Sequence, residues 1–150
     1  MLHGCVEYLP LDGVEFNPAN VLEFEKKHGV VFPDTYKRLL KECQGKTPNP
    51  NYFKLNNGFS SISVFYHFYD HRDDIDAYHI EKNQDFLREK ISPNLVAFAE
   101  DPGGNLICFD YRKGPDNPEI VFVSHEDVGA DAINHICKDF DKFLNYLYAD

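Results

Sequence analysis

The sequence predicts an α+β fold: one domain over residues 1–150, with N-terminal helices, a mainly antiparallel sheet of about five or six strands and a C-terminal helix. The length of 150 residues matches one domain and is sufficient to bury a core without a metal ion or a disulfide. Hydrophobic residues make up 43% and charged residues 27% of the chain, as is ordinary for a globular protein. Helical patterns come first, a run of strand patterns follows, and a helical pattern closes the sequence.

Two helices are predicted near the N-terminus. Asn17-Pro18 suits the start of a helix over residues 19–28, because asparagine caps a first turn and proline fits its first position. Gly29 suits the left-handed residue that ends it. A second helix is predicted to begin at Pro33-Asp34 and to end at Gly45, and its apolar residues recur at helical spacing: Tyr36, Leu39, Leu40 and Cys43.

From residue 52 the pattern changes to strands. Residues 47–51, Thr-Pro-Asn-Pro-Asn, are predicted to form a loop because two prolines in three positions disfavour regular structure. Strands are predicted over residues 52–55 and 61–66, which are rich in aromatic and β-branched side chains. The Asn56-Asn57-Gly58 segment between them is a strong hairpin signal.

The second half of the chain alternates short helices and strands. Residues 73–90 are polar with spaced apolar side chains and predict one or two short helices. Strands are predicted over residues 95–99, 105–111 and 120–123, and a glycine turn joins the first two as a hairpin. Asp139 can cap a final helix whose buried stripe is Phe140, Phe143, Leu144 and Leu147.

The chain is acidic. It has 15 lysines and arginines against 25 aspartates and glutamates, which gives a formal net charge of −10. Phosphate backbones repel such a surface, and the basic residues lie scattered among carboxylates, so nucleic acid is not the expected partner. A basic protein would be attracted instead.

The sequence also predicts a compartment. Residues 1–7 lack the basic segment and apolar run of a secretory signal, and no stretch approaches the ~18 apolar residues of a membrane span. We therefore expect a cytoplasmic protein without a membrane partner. Four widely spaced cysteines permit disulfides, but a cytosol favours reduced thiols, with Cys43, Cys108 and Cys137 as small core residues.

One cluster has the composition of a metal site. His67 and His71 lie near Asp70, Asp73 and His79, and on a helix the two histidines would share a face. However, His67 falls at the end of a predicted strand, where four residues span ~13 Å, whereas zinc ligands converge within about 2.1 Å of one point. The sequence therefore predicts a solvated loop, no metal and no cofactor, and a metal-dependent hydrolase using His67 and His71 is an alternative function.

Other catalytic patterns are also absent from the sequence. The glycine turn at residues 102–105 lacks the spacing and the following helix of a phosphate loop. Residues 124–127, Ser-His-Glu-Asp, contain triad residue types, but adjacent residues cannot adopt triad geometry. Cys108 lies in an apolar strand rather than in the electropositive, exposed setting of a reactive thiolate. We therefore expect no enzyme, and a generic scaffold or regulator is a further alternative.

Five short motifs resemble, in order and spacing, the pattern of a known family. Residues 31–40 (VFPDTYKRLL) resemble its "LP.dYk.fL" opening, and Asn57-Gly58 its "NGG" site, with Phe59 where a second glycine is common. Residues 95–99 (LVAFA) resemble "lipFa", residues 103–110 (GGNLICFD) resemble "GGN..cfD", and residues 139–144 (DFDKFL) resemble the closing "sFeeFL". Over roughly residues 21–147 the chain is thus similar to the SUKH superfamily, the Smi/Knr-like proteins.

The resemblance implies a SUKH-like fold and a bacterial immunity protein that binds and neutralises a cognate toxin in the cytoplasm, with a closer likeness to the partners of LXG-type toxins. It implies that the toxin is often a nuclease (DNase or RNase). A nuclease must attract phosphate and tends to be basic, so an acidic protein gains association rate by mimicking that charge. We expect the following partner-binding residues: Asp70, Asp73, Asp74 and Asp76, then Glu100 and Asp101 as a second patch, and Tyr52, Tyr69 and Tyr78 as anchors.

Overall fold

The structure is a computed structural model that describes residues 2–150. In chain order its elements are β1 (Gly4–Glu7), α1 (Ala19–His28), α2 (Asp34–Cys43), β2 (Lys46–Asn49), β3 (Tyr52–Leu55), β4 (Gly58–Ser61), β5 (Val64–Phe65), α3 (Gln84–Lys90), β6 (Leu95–Glu100), β7 (Leu106–Asp110), β8 (Glu119–Val123), β9 (Ile133–Cys137) and α4 (Phe140–Tyr146). Short 3-10 helices lie at Asp76–Tyr78 and Gly129–Ala132. The predicted α+β class is confirmed. Within the described residues, none of the helices combines the length and the apolar character needed to cross a membrane.

The main sheet contains five antiparallel strands in the order β5-β6-β7-β8-β9. Every residue of the central strand β7 is buried, which accounts for the apolar run that predicts it. Glu100 pairs with Leu106 across the predicted glycine hairpin, where Gly104 has a φ of 84°. Two further antiparallel pairs, β1–β2 and β3–β4, are separate two-stranded sheets.

Aromatic side chains join the helices to the main sheet. The Phe98 and Phe109 rings stack with centroids 4.3 Å apart. Tyr36 of α2 meets Phe109 edge-on at 4.9 Å, and Phe140 of α4 lies 5.5 Å from Tyr36. Such pairs contribute about 0.5–1.5 kcal/mol beyond their buried area. The helices that were predicted at the two ends of the chain therefore share one core.

The helix boundaries follow the predicted capping residues. Asn17 Oδ1 accepts a hydrogen bond from Ala19 N at 3.0 Å, and Gly29 adopts a φ of 66° at the end of α1. Asp139 accepts from Lys142 N at 2.8 Å at the start of α4. These local signals are confirmed because each satisfies a backbone group that a helix end leaves without a partner.

One loop prediction and one strand prediction are corrected, and two strands were not predicted. Residues 47–51 do not form a loop throughout: β2 pairs with β1, and Pro48 lies opposite Cys5. Proline is tolerated there because both strands of a two-stranded sheet are edges. The strand predicted over residues 61–66 is divided, since Ser61 ends β4 whereas β5 pairs with β6. The sequence pattern also misses β1 and β9, which are short and partly exposed.

The prediction of reduced thiols is wrong for one pair. Cys5 and Cys43 form a disulfide that joins β1 to the end of α2, across a sequence separation of 38. Because the two residues are distant in sequence, only the tertiary fold brings their side chains together. Cys108 and Cys137 are free and buried, as the sequence predicts.

Candidate partner-binding surface

The loop after β5 carries four of the predicted aspartates, and Arg72 fastens it to the N-terminal part of the chain. The Arg72 guanidinium donates to Asp74 Oδ1 at 2.6 Å, to the carbonyl oxygen of Asp12 at 3.1 Å and to that of Pro10. The Arg72 backbone N–H donates to Asp76 Oδ1 at 2.9 Å. Since arginine presents its donors in a fixed fork, this one side chain defines the shape of the loop.

The four aspartates differ in how far the fold uses them. Asp73 has a fully exposed side chain (100%), and its carboxylate is 3.3 Å from His71 Nε2. Asp70 is exposed and accepts a hydrogen bond from Asn20 at 3.0 Å. The hydrogen bond from Arg72 N, followed by the proximity of His71, holds the pKa of Asp76 below its usual value. Asp70 and Asp73 are therefore free to meet a partner, whereas Asp74 and Asp76 also shape the loop.

Three further carboxylates, which the sequence analysis did not single out, adjoin this loop. Glu23 and Glu81 line a cavity of about 310 Å³ together with Asp70, and Glu15 and Asp70 line a neighbouring cavity of about 260 Å³. Apart from histidine, each cavity has one basic residue in its lining: Lys27 in the first and Arg72 in the second. We call the surface formed by these seven carboxylates the acidic face: Glu15, Glu23, Asp70, Asp73, Asp74, Asp76 and Glu81. Four of its members lie within residues 70–76, where the charge run is visible in the sequence, whereas Glu15 and Glu23 join them only in the fold.

His67 is a structural residue and not part of a solvated loop. It is fully buried, its Nδ1 accepts from Tyr69 N at 3.1 Å, and its Nε2 lies 2.8 Å from the Ile75 carbonyl oxygen. Burial is the main reason that the pKa of His67 is lowered. Both ring nitrogens are engaged, so the pair with His71 does not form a metal site. Among the described residues, the carboxylates that converge with His71 are those of Asp73 and Asp76; His71 and Asp73 are exposed, and Asp76 is half-buried.

The second predicted patch faces inward. Asp101 is buried, and its carboxylate accepts from Ser60 Oγ, Gly103 N and both Asn105 N and Nδ2. Glu100 is partly buried and accepts from the Tyr66 hydroxyl at 3.0 Å, and burial raises the pKa of Glu100. The expected exposure is therefore wrong for Asp101, which holds the glycine hairpin together. Partner binding by either residue stays a prediction.

The three predicted tyrosine anchors occupy different environments. Tyr69 is buried (8% exposed) beside His67, so its expected exposure is wrong. Tyr78 is half-buried and meets the exposed Tyr8 edge-on at 5.6 Å, and a hydrogen bond with Tyr8 raises the pKa of Tyr78 to about 12. Tyr52 is half-buried, and its ring lies 6.0 Å from those of Phe59 and Tyr148. Their roles as anchors stay predictions.

Tyr52 borders a second surface that the sequence analysis missed. β3, β9 and the C-terminal segment enclose a groove of about 450 Å³, which we call the aromatic groove. It is lined by Phe53, Lys54, Leu55, Asn56, His135, Ile136, Tyr146 and Tyr148. Residues 133–137 place two polar side chains between Ile133 and Ile136, so no period-2 pattern marks β9, and the proximity of β3 to β9 depends on the tertiary fold.

The candidate nucleophiles are not activated. Burial raises the pKa of the Cys108 thiol well above its usual value, which is the opposite of what a thiolate nucleophile requires. Ser124 and His125 lie in the turn after β8, where His125 N donates to Asn105 Oδ1 at 3.0 Å. Within residues 2–150, no hydrogen bond joins the Ser124 hydroxyl to an imidazole.

The family follows from a comparison with known protein families. The chain matches the SMI1 / KNR4 family (SUKH-1) over residues 15–146, a span that begins before α1 and ends with α4. The chain belongs to this family. The predicted resemblance is confirmed, while no curated protein matches the chain. SUKH proteins are known as toxin immunity proteins, so membership supports an immunity role for this SUKH-1 chain and implies a cognate toxin as its partner.

Proposed function

We propose that this SUKH-1 protein binds and neutralises a cognate LXG-type toxin by protein–protein association in the cytoplasm. The toxin domain is proposed to be a basic nuclease, either a DNase or an RNase. Family membership supports the immunity role. The acidic face is the observation that supports a basic partner, because it concentrates seven carboxylates around one loop and two adjoining cavities.

The charge of the acidic face acts mainly on the rate of association. A surface of one sign raises the encounter rate with an oppositely charged partner by about 10–10³-fold, and salt screens this attraction over about 8 Å at physiological ionic strength. A nuclease presents positive charge where it holds phosphate, so the acidic face is complementary to that site. Inhibition would follow from covering the site, without any reaction on this chain.

Two carboxylates allow a clean test. Asp70 and Asp73 are exposed and contribute little to the fold, whereas Asp74 is held by Arg72 and should be left intact. We expect Asp70→Lys with Asp73→Lys to lower the association rate constant with the toxin of the neighbouring gene by about tenfold or more at low salt. The measurement is surface plasmon resonance at several salt concentrations, together with inhibition of the toxin's nuclease activity.

The matched control reverses two carboxylates elsewhere. Glu42 and Glu89 are exposed near the ends of α2 and α3, where lysine is favourable to the helix dipole. Glu42→Lys with Glu89→Lys changes the net charge by the same amount and should leave the association rate within about twofold. Equal effects of the two double variants would remove the acidic-face model. Failure of the wild-type protein to bind or inhibit any toxin encoded beside it would remove the immunity proposal.

The metal-dependent alternative is tested separately. Metal analysis of the purified protein, repeated for His71→Ala, asks whether the group of His71, Asp73 and Asp76 holds an ion. Stoichiometric zinc or manganese that disappears in the variant would favour the hydrolase over the immunity proposal. Metal content that does not change between the two proteins would count against the hydrolase.

A further inference from the structure

The aromatic groove lies under an unusually exposed group of aromatic side chains. Tyr146 is 56% exposed and Phe59 is 63% exposed, and the Tyr52 ring connects Phe59 to Tyr148. Single exposed apolar residues are ordinary on a soluble surface, but a contiguous apolar patch with a polar rim is typical of a protein-binding site. Here the patch is continuous with a concave groove of about 450 Å³.

The charge around the groove is opposite to that of the chain as a whole. Among the described residues, those that line the groove include Lys54 and His135 but no carboxylate, although the protein carries a net charge of −10. His135 already lies 3.4 Å from Glu119. Lys54 is exposed and forms no ion pair with the residues that the structure describes, so its ammonium group is available to a partner.

We propose that the aromatic groove binds an extended segment of the toxin in which a large apolar side chain stands next to an aspartate or glutamate. The apolar side chain would pack against Tyr146, Tyr148 and Ile136 within the groove. The neighbouring carboxylate would pair with Lys54, which selects against purely basic segments. This inference rests on the proposed function for the identity of the partner.

The two surfaces then have different roles in recognition. Exposed charges on the acidic face act over several ångströms and set the association rate. Aromatic side chains that lose water on contact act at short range and set the dissociation rate, as buried tyrosines do at interaction hot spots. This division predicts that changes in the groove and on the acidic face will alter different rate constants.

The groove can be tested without the toxin. Purified wild-type protein is used to select from a displayed library of random linear peptides, and single clones are then synthesised and their Kd values measured. We expect enrichment of peptides in which an aromatic or large aliphatic residue adjoins an acidic one. Tyr146→Ser with Lys54→Glu should raise the Kd of these peptides by at least about tenfold, the effect of losing one interfacial aromatic anchor.

A control variant keeps the result interpretable. Val128→Ser with Lys90→Glu also removes one exposed apolar side chain and reverses one lysine, but outside the groove, and it should leave the peptide Kd unchanged. Thermal unfolding of all three proteins checks that they remain folded. Enrichment of basic peptides, no enrichment at all, or equal binding by the groove variant would overturn the proposal. A wild-type dimer that the groove variant disperses would also overturn it, by identifying a second copy as the occupant.

Kinetics with the toxin of the neighbouring gene complete the test. The groove variant should raise the dissociation rate constant by about tenfold and leave the association rate constant within about twofold. An unchanged dissociation rate in a complex that still forms would refute the groove assignment alone. If no toxin binds the wild-type protein, the immunity proposal fails, while the peptide selection still reports on the groove.

Discussion

Asp101 should prove to be a structural residue. Its Oδ1 accepts from Gly103 N at 3.0 Å and from Asn105 N at 2.7 Å, and its Oδ2 accepts from Ser60 Oγ at 2.8 Å and from Asn105 Nδ2 at 3.1 Å. The residue is 5% exposed. Because Asp101 precedes the glycine turn between β6 and β7, these four hydrogen bonds fix the geometry of a hairpin at the centre of the main sheet.

The magnitude follows from this set of contacts. A hydrogen bond to a charged group contributes about 1.5–3 kcal/mol, but four bonds that share one carboxylate do not add independently. We therefore expect Asp101→Ala to lower the free energy of unfolding by about 3–5 kcal/mol, which corresponds to a decrease in Tm of roughly 10 °C for a chain of this size. Asp101→Asn keeps one accepting oxygen and should cost about 1–2 kcal/mol.

The assay is urea unfolding followed by circular dichroism, with the Tm from calorimetry as a second measure. Asp73→Ala is the matched control, because it removes an aspartate that is fully exposed and should change stability by less than about 0.5 kcal/mol. If Asp101→Ala costs less than about 1 kcal/mol, or no more than Asp73→Ala, the assignment of Asp101 to the fold is refuted. The expectation that it contacts a partner would then regain support.

Three further predictions concern the stability of the fold. Because burial lowers the pKa of His67, the unfolded chain takes up a proton at higher pH than the folded protein does, and the free energy of unfolding should fall as pH decreases below about 6.5. This residue contributes a slope of up to about 1.4 kcal/mol per pH unit. His67→Gln should reduce that slope in urea unfolding measured from pH 5 to 8, and an unaltered slope would contradict the assignment. Reduction of the Cys5–Cys43 disulfide should lower the free energy of unfolding by up to about 4 kcal/mol, given a separation of 38 residues. Cys5→Ser should lower it by the same amount, and stability that does not change with reductant would argue against the bond. Arg72→Lys should lower the free energy of unfolding by about 1–2 kcal/mol and increase the mobility of the loop after β5, because an ammonium cannot replace the forked contacts of the guanidinium. Thermolysin should then cleave faster near residues 70–76, and unchanged cleavage would show that the arginine is dispensable.

Local signals explain why much of the fold is predictable. Asn17 and Asp139 accept hydrogen bonds from backbone N–H groups two or three residues further on, and Gly29 adopts the left-handed conformation that ends α1. The start and end of α1 and the start of α4 therefore lie where the sequence indicates. The buried strands β6 and β7 are also predictable, because their apolar runs and the glycine turn between them lie within one short stretch of the chain. The charge-based expectation of a basic partner needs no more than the composition.

Pairing between distant segments is what the sequence could not indicate. Lys46–Asn49 is a strand only because it pairs with β1. Cys43 forms a disulfide only because the same pairing places Cys5 of β1 beside it. The burial of His67, Tyr69 and Asp101 likewise depends on which segments pack over them. A side chain of given polarity carries no information about the neighbours that will cover it.

The sequence by itself determined the α+β class, the helix ends, the hairpins and the net charge of −10, because each of these depends on neighbouring residues or on composition. It also carried the motifs of the SUKH-1 family. Only the tertiary structure decided where that charge is presented and which carboxylates are consumed internally. It separated an exposed Asp73 from a buried Asp101 and assembled the aromatic groove from segments more than 70 residues apart. The physical reason is that solvent exposure and surface shape are properties of packed segments, which no single stretch of chain possesses.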